Sequence, residues 1–79
     1  MADLRVKLTF PEELVRRPVL ADLVRQFAVI PNIRRAAVEE HSGWLICELS
    51  GTTENLDEAQ AWLIAQGIHV DPLGDVLES

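Results

Sequence analysis

IRRAAVEEHSGWLICEL, residues 33–49, reads as two strands joined by a tight turn. From Trp44 to Leu49 the chain alternates: Leu45, Cys47 and Leu49 fall on one face, and Trp44, Ile46 and Glu48 on the other. A period of two is that of a half-buried strand. His41-Ser42-Gly43 makes the turn, with Gly43 free to take backbone angles that other residues resist. The strand before it, Ile33 to Glu40, alternates less cleanly because Arg34 and Arg35 are adjacent. That break predicts an edge strand or a strand with a bulge.

Working outward, each strand of this pair is flanked by a helical stretch. Upstream, Pro18 suits a first helical position, and Leu20, Leu23, Val24 and Phe27 follow at helical spacing. Pro31 blocks any continuation. Downstream, Ser50 to Thr53 form a turn, and Thr52, Thr53 or Asn55 supplies the N-cap. Glu54, Asp57 and Glu58 suit the positive end of the second helix. Leu56, Ala59 and Leu63 form its buried stripe, Trp62 lies on the flank, and Gly67 is its stop. At the outer ends lie Leu4 to Phe10, alternating apolar and polar up to Pro11, and Ile68 to Val70, alternating with His69 and Asp71. The whole string is βαββαβ, the split-βαβ pattern of a ferredoxin-like α+β sandwich. It predicts a four-stranded antiparallel sheet in the order 4-1-3-2, with two helices on one face. Leu8, Leu23, Phe27, Leu45, Leu49 and Leu63 are expected in the core. The other face is left open, showing Arg5 and Lys7, Trp44, Ile46 and Glu48, and His69 and Asp71.

The chain has 79 residues, which suits a single domain, here read as a core at 4–73 and a tail at 74–79. So small a core is marginal, and pairing with a second copy would help it. No apolar run is long enough to span a bilayer, and the acidic, polar start does not read as a signal peptide. Cys47 is the lone cysteine, which excludes an internal disulfide and fits a reducing, cytoplasmic compartment. One cysteine cannot by itself hold an iron–sulfur cluster or a structural zinc. All seven basic residues lie in the first 35 positions, yet the net charge is −6. Such a balance argues against general binding to nucleic-acid backbones. It predicts that the basic and acidic halves neutralise each other once the strands interleave.

Catalytic chemistry is not visible in the sequence. The four glycines are isolated, so there is no phosphate loop. His41 and His69 have no ligand spacing to Cys47, which reads as a small core hydrophobe. No general base has an orienting partner. The aromatics are too few, and their pattern wrong, for an RNA-binding sheet. The chain is therefore expected to be no enzyme, to need no cofactor or metal, and to bind neither nucleic acid nor membrane.

Six short segments nonetheless form a recognisable series. Leu8-Thr9-Phe10, Pro18-Val19-Leu20, Pro31-Asn32-Ile33, Leu49-Ser50-Gly51, Ala61-Trp62-Leu63 and Gly67-Ile68-His69-Val70 resemble the NIL domain in order and spacing. The resemblance extends from Leu4 to Leu73. The NIL domain is the ferredoxin-like module at the C-terminus of the ATPase subunit of bacterial methionine importers. It also occurs alone, and ahead of a ferredoxin-type iron–sulfur domain. In the transporter form it pairs with its twin and binds methionine near the pair, which shuts the importer down. The hairpin around His41-Ser42-Gly43-Trp44 looks shorter than in that form, and more like the form found alone or before an iron–sulfur domain. With no ATPase or cysteine-rich segment in view, neither ATP hydrolysis nor electron transfer is expected of the chain.

Two functions follow from the resemblance. The first is a regulatory, ligand-sensing module that binds methionine or a related sulfur amino acid at a homodimer interface. Asn32 would meet the amino-acid head, Ile33 and Val38 its side chain, and Trp44 and Ile46 the second copy. The alternative is a protein-interaction module that docks to an iron–sulfur or sulfur-metabolism partner, or to a transporter, and binds no metabolite. For Asn32 the competing role is a turn residue that satisfies its own backbone after Pro31.

Overall fold

The computed structural model describes residues 1–73, so the tail expected at 74–79 lies outside the described residues. The elements are β1 (Ala2–Phe10), a 3₁₀ turn (Glu12–Leu14), α1 (Val19–Phe27), β2 (Ile30–Val38), β3 (Gly43–Gly51), α2 (Thr53–Ala65) and β4 (His69–Pro72). The sheet order is β2-β3-β1-β4 and every pairing is antiparallel. This is the α+β ferredoxin-like arrangement read from the sequence, with 4-1-3-2 order.

Strand alternation sets the layers. Val6 and Leu8 of β1, and Cys47 and Leu49 of β3, are fully buried, as are Leu23 of α1 and Ala59 and Leu63 of α2. Both helices therefore pack on the same sheet face, and Arg5, Lys7, Trp44, Ile46 and Glu48 stay on the other. Burying each Leu or Val of this set contributes roughly 1.5–3 kcal/mol. Phe27 and Leu45 are half-buried rather than in the core, packed against its margin. Phe27 meets the Trp62 ring at 5.9 Å between centroids and 55° between planes, a tilted aromatic pair.

Each α2 terminus is satisfied locally. Thr52 is the N-cap and its hydroxyl accepts from the Asn55 amide at 3.0 Å. At the other end Gly67 takes φ +96°. The Ile68 amide donates to the Leu63 carbonyl at 3.1 Å and the Gly67 amide to Ile64 at 3.0 Å, a Schellman closure.

The α1–β2 region departs from the sequence expectation. Val19 is buried and Val24 is 42% exposed. The helix buries Val19 and Leu23, with Leu20 and Phe27 at the margin, and one further residue turns Val24 by about 100° away from the sheet. β2 begins at Ile30, not Ile33, and ends at Val38, not Glu40. The earlier start follows from Ala28, whose left-handed φ of 52° turns the chain directly after α1. Pro31 sits inside the strand, opposite Leu49. It is tolerated because β2 is an edge strand with β3 as its neighbour, so no second ladder needs its missing amide. The predicted irregularity is present as a register shift between Ile33 and Arg35, which leaves Arg34 as the extra residue.

Candidate functional site

On the open face, register brings side chains of β1, β2 and β3 into rows. Arg5 stands opposite Glu48, Lys7 opposite Ile46, and Thr9 opposite Trp44. From β2, Asn32 stands opposite Glu48 and Arg35 opposite Ile46. The β4 residues Asp71 and His69 face Lys7 and Thr9 across the other side of β1.

Glu48 is the electrostatic hub of this face. Arg5 Nη2 donates to Glu48 Oε2 at 2.7 Å, and Arg34 Nη2 lies 3.5 Å from the same oxygen. The Arg5 hydrogen bond is the largest influence holding the Glu48 carboxyl below the ordinary carboxylate range; partial burial opposes it, and the Arg34 charge adds to it. Arg5 Nε is buried with no partner among the described residues. The bulge explains how Arg34 takes part: the extra residue frees its side chain to reach over the open face. Basic and acidic halves of the chain do interleave here, as the charge distribution predicts.

Trp44 is half-buried rather than exposed, between Thr9 and Ala37 on the neighbouring strands, and Lys7 Nζ lies 5.1 Å from its ring centroid. That is within cation–π range. Ile46 is likewise half-buried. His69 Nε2 lies 3.2 Å from Asp71 Oδ1 at the β4 edge. His41, in the hairpin turn, is exposed and meets Glu12 Oε2 through Nδ1 at 2.8 Å, tying the turn to the 3₁₀ segment.

Asn32 lies within β2, not in a turn. It is exposed, and its side-chain amide has no hydrogen-bond partner among the described residues. Ile33 pairs with Cys47 and Val38 with Gly43, so both belong to the helix-side face, where they are 52% and 75% exposed. The three sequence-selected residues thus do not share a face. Asn32 joins Glu48, Arg5 and Arg34 on the open side. Val38 lies at the far end of the edge strand.

Cys47 is fully buried, and burial, reinforced by the Glu48 charge, pushes its thiol up to about 11. It stays a thiol at neutral pH and is no nucleophile. The Arg5–Glu48–Arg34 cluster was not legible as a cluster in the sequence. Strand parity put Arg5 and Glu48 on the open face, but their pairing needs the β1–β3 register and the bulge in β2.

The NIL domain family matches residues 4–72, and the chain belongs to that family. It is 35% identical, over 85% of its length, to the methionine import ATP-binding protein MetN of Myxococcus xanthus (strain DK1622). The matched part is 22% of that relative, so this chain corresponds to about a fifth of its length. Among solved structures it resembles the C-terminal domain of an ABC transporter ATP-binding protein from Enterococcus faecalis, with a TM-score of 0.79 and 21% identity over 92% of this chain and 86% of that one. The structural likeness supports the fold. Among the described residues no helix is long and apolar enough to cross a membrane.

Proposed function

We propose that this chain is a cytoplasmic, non-catalytic regulatory module that senses methionine or a related sulfur amino acid at a homodimer interface, in association with a transporter ATPase. The observation that carries the reading is its membership of the NIL family together with its similarity to a methionine import ATP-binding protein. The open face supplies compatible chemistry. An amino-acid head group carries one positive and one negative charge, and Asn32, Glu48 and Arg34 offer an amide, a carboxylate and a half-exposed guanidinium in neighbouring rows. The Asn32 amide can both donate and accept, and it is free to do so. Ile33 and Val38 project from the opposite face of the same edge strand, so the site on the open face rests on Asn32 and not on them. Trp44 and Ile46 offer the apolar centre against which a second copy would pack.

Calorimetry with methionine and norleucine tests the ligand. Asn32→Ala is expected to weaken binding by about 1–2 kcal/mol, the usual cost of lost polar contacts, and to leave the free protein's melting temperature unchanged because the side chain has no partner within the chain. Trp44→Glu is expected to lower the association state in sedimentation with the far-UV spectrum preserved. Absence of binding at millimolar methionine or analogue would overturn the sensor reading in favour of a module docking to an iron–sulfur or sulfur-metabolism partner.

A further inference from the structure

A second concave feature lies on the helix side, away from Asn32 and Glu48. The start of α1, the end of β1 and the closed end of the β2–β3 hairpin enclose a cleft of about 230 Å³. Phe10, Val15, Val19, Leu20 and Leu45 line it with apolar surface, and Val38 and Trp44 border it as well. Arg17 is the charged side chain of the lining, and no Asp or Glu belongs to the lining among the described residues. Neither Arg17 nor its neighbour Arg16 has a carboxylate within ion-pair distance among the described residues.

We propose that this cleft binds a short-chain monocarboxylic acid, with its hydrocarbon chain against the apolar walls and its carboxylate on the Arg17 guanidinium. Size sets the chain length. A cleft of about 230 Å³ takes a small molecule with a short hydrocarbon chain, and hexanoate serves as the probe. Charge sets the head group. Arg17 favours an anion, and a guanidinium matches a carboxylate in a two-pronged geometry. The first turn of α1 lies on the same side, but it carries Asp22, so the charge preference rests on Arg17. An α-ammonium group would find no anionic partner in the lining, so simple acids are preferred over amino acids. The ligand class differs from that of the open-face reading, but the two places adjoin, because Val38 and Trp44 also border the cleft; Arg17 belongs to the cleft alone, so Arg17→Gln tells the two apart.

Titration of the whole chain with a homologous acid series, followed by amide NMR shifts, tests the proposal. From propanoate to hexanoate, Kd is expected to fall about fourfold per methylene, the fold-change of burying one such group, with shifts centred on Val19, Leu20 and Leu45. Octanoate is expected to gain less per methylene, because the end of a longer chain leaves the cleft for solvent. Hexylamine is expected not to bind. Arg17→Gln, at an exposed position, is expected to weaken hexanoate about two- to fivefold, the range of a solvent-screened ion pair, while methionine titration is unaltered. Ala36→Phe fills the cleft and is expected to abolish hexanoate binding; if that variant does not fold, Arg17→Gln and the chain-length series decide. No saturation with hexanoate at millimolar concentration, no dependence on chain length, or equal binding of hexylamine would each overturn the proposal.

Discussion

Replacing Ala28 by glycine and Gly67 by alanine perturbs the same kind of backbone position in opposite directions. Ala28 ends α1 at φ 52° and Gly67 follows α2 at φ 96°. A side chain in the left-handed region costs roughly 1–2 kcal/mol through contact between Cβ and the following carbonyl. Glycine removes that cost but gives the unfolded chain more freedom, an opposing effect of about 0.4–1 kcal/mol. For Ala28→Gly the difference is a stabilisation of about 0.5–1 kcal/mol. For Gly67→Ala the same subtraction predicts a loss of about 0.5–1 kcal/mol. No steric correction enters at Gly67, because an added Cβ there meets nothing within 4 Å. In a domain of this size 1 kcal/mol corresponds to about 4–8 °C in melting temperature. Urea unfolding and thermal melts of both variants at one protein concentration measure the effects. A fall in stability for Ala28→Gly, or no change in Gly67→Ala, would refute the view that backbone conformation governs these two helix exits. It would point instead to the side-chain methyl at 28 and to a relaxed closure at 67.

Three further outcomes are expected. Thr52→Ala removes the hydroxyl that accepts the Asn55 amide and should cost about 1 kcal/mol in urea unfolding, whereas Thr52→Ser should cost little. Cys47 ionises in the folded state only near pH 11 but earlier when unfolded, so above about pH 9 the unfolded state loses its proton first and stability should fall with rising pH; Cys47→Ala should remove that alkaline slope. Glu48 has a depressed carboxyl in the fold, so its contribution is present above the unfolded carboxylate range and is lost as pH falls through the folded value; Glu48→Gln should flatten the acidic limb of a stability-versus-pH curve.

The sequence alone determined the element order, the sheet order and the open-face rows of β1, β3 and β4. Period-two alternation in Leu4–Phe10 and Trp44–Leu49 assigns each side chain to a face without knowledge of what it packs against, because consecutive Cβ atoms in a strand must oppose. Gly67 and Thr52 were legible for a similar reason: their roles are local, set by backbone angle and by a hydroxyl three residues from its donor. Where α1 ends and β2 starts was decided by the tertiary structure. Pro31 looks like a boundary along the chain, and becomes admissible inside β2 only because that strand lies at the sheet edge. Val24 turns outward while Val19 is buried, because the buried side of a helix depends on what it is pressed against, and a shift of one residue turns it by more than a quarter of the circumference. The placement of Asn32, Ile33 and Val38 on different faces was likewise beyond the sequence, since β2 alternates poorly and carries a bulge. The same holds for the Arg5–Glu48–Arg34 cluster and for the cleft beneath Arg17. Both are made by residues distant along the chain, and only strand register and the seat of α1 on the sheet bring them together.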